Sequence, residues 1–180
     1  MNNVMLDLET LGDSSDAVIL AIGAIKFDVD TNKLGEIFYR NISIESCLYN
    51  GLTVTGSTIE FWLKQDKSII DYLFNPEPID LIEALIQFSE YLGSKNCLIW
   101  GNGSDFDNVI LKNAYLRCNY SYPWNFRNNR CFRTFKNEIF IHNEKIDFHR
   151  QLHHALNDAI FQAKYMLKAY EMIREGKVIL

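Results

Sequence analysis

Two carboxylates one residue apart, Asp7 and Glu9, close the apolar run at residues 4–8. In an extended strand, side chains i and i+2 share a face, so both acids point the same way. Anions so placed repel each other, and a divalent cation between them relieves the repulsion. The pair alone is as common among solvated acids; its weight comes from two further acids in fitting contexts. Asp107 follows the apolar stretch Leu98-Ile99-Trp100 and the turn Gly101-Asn102-Gly103, and stands near the start of a segment with Val109, Ile110, Leu111 and Ala114. Farther on, His153 stands at or just before the start of a helical pattern and Asp158 one turn into it. Four carboxylates suit hard ions such as Mg²⁺ or Mn²⁺ better than a His/Cys set would.

The order is acid-x-acid on a first strand, acid on a middle helix, then His and acid on a last helix. It resembles the DEDDh family of 3′–5′ exonucleases, the proofreading-exonuclease group with the ribonuclease H-like fold. The matching positions are Asp7 and Glu9, then Asp107, then His153 with Asp158, and the resemblance spans residues 4 to about 170. The stretches STIEFWLKQ (57–65) and NRCFRTFK (129–136) are similar to a phage and bacterial subgroup that includes the DNA exonuclease A type and an exoribonuclease-like domain.

The resemblance implies a metal-dependent 3′–5′ exonuclease that releases nucleoside 5′-monophosphates from single-stranded nucleic acid with a free 3′ end. DNA is the preferred substrate and RNA the alternative; a non-catalytic nucleic-acid-binding module on the same fold is the rival class. Two Mg²⁺ ions, or Mn²⁺, about 4 Å apart would serve as cofactors. By family analogy Asp7 contacts both, Glu9 and Asp158 hold the one carrying the attacking water, and Asp107 supports the second. The family's Phe-Asp pair matches Phe106-Asp107, which leaves Asp105 as a helix-start acid. The family pattern of His, four residues, Asp selects His153 as general base. Helical spacing alone favours His154, which is i, i+4 to Asp158 and is an alternative phosphate contact. Trp62 and Gln65 are substrate-contact candidates, with core burial the other reading of Trp62. Leu11 and Gly12 could wedge against the terminal base, because glycine permits close backbone approach.

These residues need a scaffold. Strands are expected at 3–8, 17–29 and 35–43 as an antiparallel meander, with Gly23 marking a bulge. Ile59, Leu63, Ile70 and Leu73 predict a helix over 57–73. Pro76 and Pro78 interrupt the chain, and an amphipathic helix over 79–93 ends at Gly93. A strand at 97–100 and a helix at about 105–117 follow. Residues 119–130 read as a long aromatic loop and 131–137 as a short helix. Residues 138–149 read either as a short strand around Ile139, Phe140 and Ile141 or as loop. A last helix covers 153–175. This order predicts an α/β, ribonuclease H-like mixed five-stranded sheet flanked by helices, in a single domain over 1–180.

At 180 residues and 48% apolar content the chain can bury a full core. No apolar run approaches the ~20 residues of a membrane span, so no membrane partner is expected. Asp7 and Glu9 interrupt any secretory leader. The cysteines at 47, 97, 118 and 131 lack metal-site spacing and read as reduced thiols. Together these give a cytoplasmic expectation, in a bacterium or a phage-infected host. The resemblance also admits a homodimer, although no apolar stripe demands one. The net charge of −5 is unevenly spread: residues 112–150 carry eight basic and three acidic side chains, a local +5. With Tyr120, Tyr122, Trp124, Phe126 and Phe132 interleaved, that segment fits either a nucleic-acid track or a solvated basic surface over core aromatics.

Overall fold

A meander of three antiparallel strands, β1 (Asn3–Thr10), β2 (Ile19–Asp28) and β3 (Lys33–Asn41), opens the chain in the computed structural model, which describes residues 1–74, 76–139 and 153–177. β1 also pairs in parallel with β4 (Leu98–Gly101), and β4 with β5 (Asn129–Cys131). The sheet order is β3-β2-β1-β4-β5, so the strand bearing Asp7 and Glu9 lies at its centre. Central placement explains why β1 is mostly apolar: it is covered on both faces.

On one face lie α1 (Ile44–Tyr49), α2 (Gly56–Leu63), α3 (Lys67–Phe74), α4 (Leu81–Leu92) and α5 (Asp107–Arg117), packed in the larger core with Leu6, Ile22, Phe88, Ile99 and Tyr115. The other face holds a smaller core in which Met5, Ile25, Phe27 and Trp100 meet α6 (Phe132–Glu138) and α7 (Ala155–Arg174) through Phe132, Ala163 and Met166.

The expected single helix over 57–73 is two helices. Lys64 N–H and Gln65 N–H close the first onto Phe61 and Trp62 carbonyls three residues back, and the Asp66 carbonyl accepts from Ile69 and Ile70 to start the second. Helix α1 is an addition. Ser43 caps it by accepting from Ser46 N–H, and Gly51, at φ +78°, follows its end. Helix α4 stops where expected, at Gly93 with φ +66°, and Asp80 caps its start by accepting from Ile82 N–H.

The fifth strand lies at 129–131, across the junction of the segments read as loop (119–130) and short helix (131–137), while Ile139 caps α6 and 140–141 lie outside the described residues. Edge strand β5 is short and largely exposed, so it has no hydrophobic alternation to read. The rest of the aromatic segment is pinned: Trp124 is buried and donates to the Asn129 side chain, and Tyr120 stacks on Tyr115 at 5.8 Å.

Gly23 does not mark a bulge. It sits in regular register opposite Asp7, and a β-carbon there would lie 2.2 Å from the Leu156 nitrogen and 2.3 Å from the Ala155 carbonyl carbon. The absent side chain lets the first turn of α7 rest directly on β2.

Candidate active site

The strand geometry places Asp7 and Glu9 on one side of the sheet, and α7, seated over Gly23, brings Asp158 to them. Ligand oxygens of these three carboxylates lie within 4.8 Å of one another. Glu9 and Asp158 are buried and Asp7 is partly so. Burial, followed by the charges of Asp107, Glu9 and Asp158, pushes the Asp7 carboxyl well above its usual range. Oxygen donors crowded at this range in a low-dielectric setting fit hard divalent cations.

Asp107 adjoins this cluster under a different constraint. It is 2% exposed, and its two oxygens accept backbone N–H bonds from Leu8 at 3.1 Å and Asn102 at 2.7 Å. Burial raises its pKa to about 6, against those bonds and the nearby Arg133 charge. The neighbouring Asn108 side chain donates to the Ile99 carbonyl and so ties the start of α5 to β4. Asp105 is exposed, and the N-cap position of α5 is occupied by Phe106 without a side-chain cap bond.

One residue of the site escaped the sequence reading. Gln162, 1% exposed on α7, donates from Nε2 to Asp7 Oδ1 at 2.7 Å across 155 residues of sequence. Its own Oε1 is buried and accepts no hydrogen bond among the described residues. The available signal was spacing: Gln162 is four residues past Asp158 and therefore on its face of the helix.

The two histidines part company at the head of α7. His154 is the N-cap residue; its Nδ1 accepts from Asn157 N–H at 3.5 Å, and its ring stacks on Tyr72 at 4.0 Å and 12°. Burial lowers its pKa. Because α7 begins at Ala155, the i, i+4 argument does not apply to His154. His153 precedes it at φ +60°, a left-handed conformation unusual for a residue with a side chain. Its ring meets Phe61 at 5.2 Å and Trp62 at 5.9 Å, both edge-on.

Phe61 and Trp62 also line a cavity of about 250 Å³ together with Glu9, Thr10, Gly12 and Phe106. Trp62 is 4% exposed and donates from Nε1 to the Thr10 carbonyl, so it braces the end of β1, while Phe61 is 40% exposed. Gly12 lines the cavity; Leu11 is buried in the larger core, and Gln65 Nε2 donates back to the Phe61 carbonyl.

The architecture is a ribonuclease H-like mixed α/β sheet with its acids gathered at the central strand. The model of the Rv2179c-like 3′-5′ exoribonuclease domain matches residues 2–170, and the chain belongs to that family of 3′–5′ exonucleases. No curated protein matches the chain. Among solved structures it is similar to the nuclease domain of 3′hExo, a DEDDh family member bound to rAMP (TM-score 0.59, 13% identity, covering 98% of this chain and 94% of that one). It is also similar to cell-death related nuclease 4 (TM-score 0.57, 14% identity, 98% of this chain) and to product-bound exonuclease I (TM-score 0.64, 11% identity, 96% of this chain). The chain spans 65% of the length of the former and 46% of the latter. At these identities the likeness is one of fold.

Proposed function

We propose that this domain is a metal-dependent 3′–5′ exonuclease acting on single-stranded nucleic acid with a free 3′ end, releasing nucleoside 5′-monophosphates. The observation that carries the reading is the three-carboxylate cluster, with Asp107 beside it, whose Glu9 also lines an aromatic-walled cavity of about 250 Å³. Asp7, Glu9 and Asp158, with Asp107, would hold two divalent cations, Mg²⁺ by default and Mn²⁺ as the alternative. Bound there, such ions neutralise phosphate charge and lower the pKa of an attacking water. Phe61 offers a partly exposed ring to a terminal base, Trp62 braces the end of β1 through the Thr10 carbonyl, and the Gly12 backbone lines the cavity wall. His153, on the Phe61 side, takes the proton from the attacking water. His154 is committed to capping α7 and stacking on Tyr72. The sequence resemblance puts DNA first, and the exoribonuclease description of the family puts RNA level with it. A cytoplasmic location is part of this proposal, in keeping with the free thiols of Cys47, Cys97, Cys118 and Cys131.

Digestion of matched 5′-labelled DNA and RNA strands with Mg²⁺, Mn²⁺ or EDTA tests the proposal. A metal-dependent ladder shortening from the 3′ end is expected, and the faster strand ranks the substrates. Intact strands with both metals would refute it. His153→Ala should lose far more activity than His154→Ala; the reverse order would transfer the base role.

A further inference from the structure

The basic character of the segment after α5 is concentrated on one edge. Arg127, Arg130 and Arg133, three residues apart, are all exposed and make no ion pair among the described residues. The only acid between 119 and 139 is Glu138, although the chain as a whole is at −5. The three arginines run along β5, one of the two edge strands of the sheet among the described residues: Arg127 lies in the 3₁₀ turn Phe126–Asn128 before it, Arg130 within it, and Arg133 in the first turn of α6 after it.

This line begins at the carboxylate site. Arg133 Nη2 donates to the Asn102 carbonyl at 2.6 Å, and Asn102 N–H donates to Asp107. At the far end Phe126 is 60% exposed, with the Arg127 guanidinium over its ring at 5.3 Å from the centroid. Beside it a cavity of about 360 Å³ is lined by Lys95, Tyr122 and Phe126. Strand β4 (Leu98–Gly101), at ~3.3 Å per residue, contributes roughly 10 Å to the line between these two ends. Guanidinium groups at intervals with an exposed aromatic ring are the parts that hold a single strand without reading its sequence: charge for phosphates, a ring face for a base.

We infer that the β5 edge, from Arg133 through Arg130 and Arg127 to Phe126, is a track for the part of the single strand lying 5′ to the end being cut. The inference rests on the proposed function for the identity of its occupant. The track would make longer strands better substrates than dinucleotides and would anchor the strand between successive cuts. Charges also serve to keep an open sheet edge from pairing with another chain, and the experiment separates these roles.

Binding is measured by fluorescence anisotropy of labelled 12-mer and 3-mer single strands in EDTA, where cleavage is off, across a salt series. The wild-type protein is compared with Arg127→Gln/Arg130→Gln and with Phe126→Ala, exposed positions at which folding is verified by thermal melting. The wild type should bind the 12-mer at least tenfold more tightly than the 3-mer. The double variant should lose most of that advantage and flatten the log-affinity against log-salt slope by about 1.4, at ~0.7 per phosphate contact. Phe126→Ala should weaken the 12-mer about tenfold with little change in slope. Equal affinity for both lengths, or a loss of the same size on both, would overturn the track and leave edge protection. If the 12-mer binds through these arginines but no strand is ever cut with Mg²⁺ or Mn²⁺, the track stands and the catalytic reading fails.

Discussion

Replacing Gly23 by alanine, at a position that touches no substrate, should disable the site. The added β-carbon would lie 2.2 Å from the Leu156 nitrogen and 2.3 Å from the Ala155 carbonyl carbon. Both atoms are backbone, so no side-chain rotation relieves the clash. To restore ordinary contact the head of α7 must lift by about 1 Å, since packed interiors leave little slack. Asp158 sits on that first turn and moves with it, away from Asp7 and Glu9. Oxygen–metal distances near 2.1 Å tolerate little stretching, and a misplacement of about 1 Å costs on the order of 10²-fold in rate. Overpacking itself costs roughly 1–3 kcal/mol, which at about 2–4 °C per kcal/mol for a chain of this size lowers the melting temperature by several degrees. The assays are 3′-end hydrolysis rate, Mn²⁺ affinity by electron paramagnetic resonance and thermal melting. Gly56→Ala serves as control, because its methyl would meet nothing within 4 Å. Hydrolysis within threefold of wild type together with unchanged Mn²⁺ affinity would refute the claim that close packing of α7 on β2 sets the carboxylate geometry.

Asp7→Asn should abolish hydrolysis yet raise the melting temperature of the metal-free protein, because it removes one of several crowded charges while its amide oxygen can still accept from Gln162. Asp107→Asn should instead lower the melting temperature, since an amide nitrogen would face the N–H of Leu8 or Asn102; matching shifts in the two variants would contradict this difference. The Asp107 pKa of about 6 lies above the usual 3.8, so its contribution to stability is full below about pH 4 and is lost as the pH rises through 6. Metal-free protein should therefore melt lower at pH 8 than at pH 5, with saturating Mg²⁺ restoring it; a flat profile between those values would refute the assignment. Gln162→Met, of similar shape, should weaken Mn²⁺ binding about tenfold through loss of the bond that orients Asp7, whereas Gln162→Glu, which adds a carboxylate to the crowded acids, should lower the melting temperature of the metal-free protein; wild-type Mn²⁺ affinity in Gln162→Met would remove Gln162 from the site.

Much of the fold was legible because its signals are local. The meander announces itself in apolar strands separated by the Asp30-Thr31-Asn32 turn, and α4 in its amphipathic spacing and Gly93 stop. The break between α2 and α3 was harder, because Ile59, Leu63, Ile70 and Leu73 keep helical spacing across a turn that contains neither Gly nor Pro. Strand β5 was invisible for the reason that makes it an edge: three residues, mostly exposed, carry no burial pattern. His142 and His149, with the basic Lys145 and Arg150, lie outside the described residues.

The sequence by itself determined the acid set, since the spacing of Asp7 and Glu9, the turn before Asp107 and the helical register of Asp158 are properties of neighbouring residues. The tertiary structure decided what those acids experience. Parallel pairing of β1 with β4 brings Asp107 beneath Leu8, and the missing side chain of Gly23 admits the head of α7. That same seating carries Gln162 to Asp7, sends His154 into Tyr72 and leaves His153 against Phe61. Each of these contacts joins residues far apart along the chain. Local propensity holds no record of such partners, which are set only when both faces of the sheet close over the central strand.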